Sequence, residues 1–96
     1  TLAYGCSKLA LMHATKIMAN EFSNYNIRVN GICPNATNTK MLKKMDPKAK
    51  EAFISRSFMK KASEPIDVAN LILFLSSKNS KYINGEIVYM DGGMEC

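Results

Sequence analysis

The sequence predicts an α/β fold with parallel strands, on three observations. A long amphipathic helix opens the chain, a short and mostly apolar strand follows it, and a second such strand lies near the C-terminus beyond two further helical stretches. Strands joined by so long a helical connection are parallel, with a right-handed crossover. Two strands are too few for an open sheet covered on both faces, and the first helix has no strand before it.

From about Tyr4 to Asn24 the chain reads as helix, with Ala10, Leu11, Ala14, Ile17, Met18 and Phe22 forming a wide apolar stripe at helical spacing. Ser23-Asn24-Tyr25-Asn26 closes it. Ile27 to Cys33 reads as a strand carrying Ile27, Val29, Ile32 and Cys33. Pro34 has no N–H to give and ends the pairing. From Asn35 the chain is loop until Asp46-Pro47, an N-cap followed by proline at the first helical position. A short basic helix should run to about Lys60; its modest apolar content, Ala49, Ala52, Phe53 and Ile54, suits a partly detached lid.

Glu64-Pro65 marks the next helix start, with Glu64 and Asp67 complementing the helix dipole. This helix, to Ser77, is apolar on most sides through Ile66, Val68, Ala69, Leu71, Ile72, Leu73, Phe74 and Leu75, and is expected to be buried. Asn84-Gly85 is a turn. Ile87-Val88-Tyr89-Met90 is the final strand, and Asp91-Gly92-Gly93 terminates it. No repeat, low-complexity segment or linker interrupts the chain.

Composition narrows the function. The 96 residues allow one domain, and 47% hydrophobic content suits a globular one. No basic-then-apolar leader and no apolar run of membrane-spanning length is present, so a soluble, cytoplasmic protein without a membrane partner is expected. Cys6, Cys33 and Cys96 are an odd number at wide spacing. That is neither a disulfide framework nor a zinc pattern, so reduced thiols and no metal are expected. The formal net charge of +5 is concentrated in Lys40, Lys43, Lys44, Lys48, Lys50, Arg56, Lys60 and Lys61, balanced locally by Asp46 and Glu51. Aromatic residues do not interleave with these charges, which argues against nucleic acid. His13, the only histidine, has no acidic residue three or four positions away and reads as a surface residue. Met41 and Met45 are candidates to line a substrate pocket, or else core filler.

The chemistry begins at Tyr4-Gly5-Cys6-Ser7-Lys8. Residues four apart on a helix share a face one turn apart, so the Lys8 ammonium can favour the phenolate form of Tyr4 and prepare it to exchange a proton. Cys6, between them, reads as a small packing residue.

This pair, the Ile27-Arg28-Val29-Asn30 segment, the Cys33-Pro34-Asn35-Ala36-Thr37-Asn38-Thr39 run, Asn84-Gly85 and Asp91-Gly92-Gly93 occur in the order and at the separations of the short-chain dehydrogenase/reductase family. The chain resembles the C-terminal part of that family. The resemblance implies the last third of a doubly wound Rossmann-type parallel sheet, in the order helix, strand, lid helix, helix, strand. Residues 1–96 are then the C-terminal portion of a single dinucleotide-binding dehydrogenase domain. It implies NAD or NADP as cofactor, a small-molecule carbonyl or alcohol as substrate, and a homo-oligomer in the full-length form.

By the same resemblance Tyr4 is the general acid or base at the substrate oxygen, and Lys8 supports it and binds the ribose hydroxyls. Pro34, Asn35, Thr37 and Thr39 belong to the nicotinamide loop. Thr37 offers its backbone to the carboxamide, and Thr39 its hydroxyl to the carboxamide or pyrophosphate. Asn35 stands where the family usually has glycine. It is expected to take the left-handed conformation that asparagine tolerates best, with weaker cofactor binding as the cost.

The family's glycine-rich phosphate turn and its catalytic serine have no counterpart in these residues; the resemblance places both upstream of Tyr4. The isolated chain is therefore expected to be inactive. The implied activity is interconversion of a secondary alcohol and a ketone, with a 3-oxoacyl thioester as one substrate class and the basic lid suited to an acidic carrier protein. The alternative is a truncated, non-catalytic module that associates with another chain.

Overall fold

The computed structural model describes residues 1–94; Cys96 lies outside the described residues. Helix α1 spans Leu2–Phe22 and runs into a 3-10 turn at Ser23–Tyr25. Strand β1 is Gly31–Pro34, helix α2 Lys40–Lys43, helix α3 Pro47–Ser55 and helix α4 Pro65–Leu75. A second 3-10 turn covers Lys78–Ser80, and strand β2 is Ile87–Met90. The two strands form one sheet and are parallel: Gly31 donates to the carbonyl of Glu86 and Asn35 to that of Met90, four residues on along both strands. The chain divides into two compact units, residues 1–32 with 75–88, and residues 33–74 with the chain from Tyr89 onward.

In the first unit α1 buries Thr15 and Ala19. Leu11, Ile17 and Phe22, members of the expected apolar stripe, are exposed. The reason is steric. A Cβ on Gly31 would lie 2.7 Å from Ile87 Cδ1 and 3.7 Å from Thr15 Oγ1, and one on Gly85, at φ +72°, would lie 3.2 Å from Ala19 Cβ. The helix meets the chain where glycines let small residues approach closely. Two strands make a sheet only about 10 Å wide, the diameter of one helix, so only a narrow stripe is covered.

The strand expected over Ile27–Cys33 begins only at Gly31, because side-chain amides replace the ladder before it. Asn84 accepts from Val29 N (3.0 Å) and donates to Ala19 O (3.2 Å). Asn30 donates to Ile83 O (3.1 Å) and accepts from Glu86 N (3.0 Å). Arg28 donates to the carbonyls of Leu75 (2.9 Å), Ser77 (3.2 Å) and Ile83 (3.0 Å). Ser80, 1% exposed, donates to Leu75 O and Ser77 O. Carbonyls left over where a helix ends are thereby satisfied by side chains.

In the second unit, Asp46 caps α3 by accepting from Ala49 N, with Pro47 next, as the sequence indicates. The helix stops at Ser55, short of the expected Lys60, because the following residues pair elsewhere. Phe58 N donates to Gly93 O, Met59 N to Gly92 O, and Ser57 bridges Met94. Lys60 takes φ +56° and returns its ammonium to Ser55 O at 2.6 Å. Asp91-Gly92-Gly93 does end β2, and it also docks on residues 57–59, where a Cβ on Gly92 would lie 2.5 Å from Ser57 Oγ. Helix α2, which carries buried Leu42, was not expected from the sequence.

Helix α4 is not buried, contrary to expectation. Val68 and Leu71 are half-buried, one turn apart, while Ile66, Ile72, Leu73 (70% exposed) and Phe74 face outward. Its apolar content exceeds the surface that the described residues offer to cover it. Among the described residues no helix is long and apolar enough to cross a membrane.

Candidate active site

Tyr4 and Lys8 lie in the first two turns of α1. The helix carries them on one face, and Lys8 Nζ sits over the Tyr4 ring, 5.2 Å from its centroid. Both tips therefore project from the same side, as the spacing predicts. The cation is held by the ring's π face. Tyr4 is 67% exposed, so water screens the interaction. Ser7, between them, turns its hydroxyl back to Tyr4 O at 2.7 Å and leaves the phenol alone. Cys6 is exposed on the same turn, and His13 is exposed further along.

The post-proline loop is built differently. Pro34 closes β1 and Asn35 makes the last strand-to-strand bond. Asn35 does not adopt the left-handed conformation expected of it; among non-glycine residues Asn26 and Lys60 do. Its N–H continues the ladder to Met90 O, and its side-chain amide donates to Met94 Sδ at 3.3 Å.

Ala36 is buried, and Thr37 forms a parallel bridge with Ser63. A parallel bridge uses the groups on either side of the central residue. Here Ser63 N donates to Ala36 O (2.9 Å) and Asn38 N to Ser63 O (2.7 Å). The N–H of Thr37 consequently faces the opposite edge and has no partner among the described residues. Its carbonyl accepts from Thr39 N. Thr39 stands at the N-cap position of α2, exposed, and its hydroxyl makes no capping bond.

The loop thus presents an unengaged amide donor at Thr37 and an unengaged hydroxyl at Thr39. These are the donors an amide-bearing ring such as nicotinamide needs, so the residues present fit that group. Ser63, to which the sequence assigns no role, and Glu64, read as part of a helix start, are the residues that hold this loop, and nothing in local spacing signals a contact across such a separation. Among the described residues no group of three or more His, Cys, Asp or Glu could hold a metal ion.

The sequence comparison is specific: residues 1–95 match the family described as enoyl-(acyl carrier protein) reductase. The chain belongs to the short-chain dehydrogenase/reductase family.

It is 38% identical over 91 residues to the 3-oxoacyl-[acyl-carrier-protein] reductase of Thermotoga maritima, covering 95% of this chain and 37% of the relative. It is 41% identical over 95 residues to the 2-dehydro-3-deoxy-D-gluconate 5-dehydrogenase of Formosa agariphila, covering 96% and 36%. The crystal structure of 3-oxoacyl-[acyl-carrier protein] reductase from Brucella melitensis superposes with a TM-score of 0.91 at 31% identity, covering 95% of this chain and 34% of that one. The angucycline C-6 ketoreductase LanV, solved with bound NADP, gives 0.86 at 25%, covering 97% and 36%. The chain spans a little over a third of the length of the curated relatives it matches.

Proposed function

We propose that this chain is the C-terminal portion of an NAD- or NADP-dependent oxidoreductase that interconverts a secondary alcohol and a ketone. The observation that carries the reading is the Lys8 ammonium seated over the Tyr4 ring at the start of α1. Tyr4 passes the proton: as acid its hydroxyl gives a proton to the carbonyl oxygen, as base it takes one from the alcohol. Lys8, a point charge with three donors, stands beside Tyr4 and binds ribose hydroxyls. Thr37 N–H and the Thr39 hydroxyl orient the nicotinamide carboxamide, with Pro34 and Asn35 shaping the loop. The bound nicotinamide supplies or accepts the hydride.

A 3-oxoacyl thioester is the substrate class we favour. Two lines support it: the reductases of Thermotoga maritima and Brucella melitensis among the relatives, and the basic run Lys40–Lys61, which suits an acidic carrier protein. The whole protein is read as a cytoplasmic homo-oligomer that takes a small-molecule substrate.

A test is to express the complete coding sequence that contains this chain and follow NADH and NADPH oxidation with a 3-oxoacyl thioester. Tyr4→Phe keeps the ring under Lys8 and should lower kcat at least about a hundredfold. Retention of full activity by Tyr4→Phe refutes the assignment.

One observation favours a second reading, a non-catalytic module that pairs with another chain: the exposed apolar faces of α1 and α4. Stable co-purification with a partner, and a fold indifferent to both nucleotides, distinguishes it.

A further inference from the structure

We propose that Ser63 is a positioning residue for the nicotinamide loop, its side-chain hydroxyl setting the orientation of Thr37 before any ligand arrives. The inference rests on the reading of that loop given above. Ser63 Oγ donates to Thr37 Oγ1 at 3.2 Å, and Thr37 Oγ1 donates to Asn35 O at 3.3 Å. A hydroxyl has one proton. The Ser63 proton has two acceptors within reach, Thr37 Oγ1 and Ala36 O at 3.3 Å. When it serves Thr37 Oγ1, the Thr37 proton goes to Asn35 O, and the Thr37 side chain is held between Ser63 and Asn35 with each bond polarising the other.

A second strap sits beside the first: Asn38 Nδ2 donates to both carboxylate oxygens of Glu64, at 3.2 and 3.3 Å. Together with the backbone bridge, residues 63 and 64 hold three successive residues, 36, 37 and 38. The geometry has one functional consequence. The bridge engages the flanking groups and turns the Thr37 N–H outward, and the hydroxyl pair stops the peptide from swivelling about that bridge. A carboxamide oxygen would meet a donor already aimed, and binding would not have to order the loop.

The experiment is amide-resolved NMR of the protein expressed from the complete coding sequence that contains this chain, titrated with NADH and with NADPH, comparing wild type, Ser63→Ala and Ser63→Thr. In wild type the Thr37 amide should shift and gain protection from exchange on saturation. Ser63→Ala keeps the backbone bridge and loses the hydroxyl. Its Kd should rise about five- to tenfold, as loss of one hydrogen bond implies. Its Thr37 protection on binding should fall, and Ser63→Thr should restore both.

A hydroxyl of purely structural value would lower the urea midpoint and leave Kd, measured on the folded protein, unchanged; that result overturns the proposal. Should Ser63→Ala fail to fold, Ser63→Cys, a weak donor, carries the same comparison. If wild type shows no response at Thr37 to either nucleotide, the nicotinamide reading itself falls, and this inference with it. A Thr37 response equal in wild type and Ser63→Ala overturns only the role of Ser63.

Discussion

The guanidinium of Arg28 donates at 2.9 Å to the carbonyl of Leu75, 47 residues further along the chain. The same group reaches Ser77 and Ile83, so one side chain gathers three carbonyls where α4 ends and β2 approaches. An ammonium cannot reproduce that planar fork. Replacement leaves part-buried acceptors unpaired, and bonds to a charged donor are the stronger kind. Arg28→Lys should therefore cost about 2 kcal/mol and Arg28→Ala about 3 kcal/mol of stability, read as a lower urea midpoint at constant slope. A change below about 0.5 kcal/mol in either would show that the clamp is incidental.

Gly31 has no room for a side chain. The nearest obstacle to a Cβ is Ile87 Cδ1 at 2.7 Å, the far end of a flexible side chain. Gly31→Ala should destabilise by about 1–2 kcal/mol through overpacking, and Ile87→Val should recover part of that. The double-mutant cycle then gives a favourable coupling. Additive single effects would place the conflict elsewhere.

Lys60 occupies the left-handed region at φ +56°, where glycine is at no disadvantage. Its ammonium bond to Ser55 O is exposed and offsets little of that cost. Lys60→Gly is expected to raise stability by about 0.5 kcal/mol, because the turn that Lys60 N closes on Ser57 O holds it in a conformation glycine adopts without steric cost. A thermal midpoint that drops on this substitution would mean the lysine's bond to Ser55 O outweighs the backbone strain.

Leu11 and Leu73 are large apolar residues exposed on α1 and α4. Such surface promotes association. The isolated chain should sediment with a concentration-dependent mass, and Leu11→Glu with Leu73→Glu should reduce it. Sedimentation as a monomer at all concentrations in the unsubstituted chain contradicts this expectation.

The isolated chain should also turn over no ketone with NADH or NADPH, since the phosphate-binding turn and the serine that the family resemblance calls for are not among its 96 residues. Robust nucleotide oxidation by the purified chain, proportional to its concentration, would refute that.

Much of the fold was legible because local chemistry enforces it. Tyr4 and Lys8 share a face because helical geometry fixes residues four apart, whatever packs nearby. Asp46-Pro47 begins a helix because a carboxylate can take a free amide and proline needs none. The parallel strand pair follows from the length of the connection between them. The conformation of Asn35, the early end of α3 and the late start of β1 were not legible. Each was decided by a partner distant in sequence: Met90 and Met94 for Asn35, Gly92 and Gly93 for the residues after Ser55, Asn84 for Val29.

The sequence alone thus determined the main helices, the two strands and their order, since those depend on dihedral preference and periodicity within a few residues. Only the tertiary structure decided that, among the described residues, the Thr37 amide is left without a partner while the Ala36 carbonyl and the Asn38 amide are taken. Ser63 takes the neighbours of Thr37 and leaves Thr37 itself, and no local rule anticipates that outcome, because a hydrogen bond is satisfied by whichever partner the fold brings within reach.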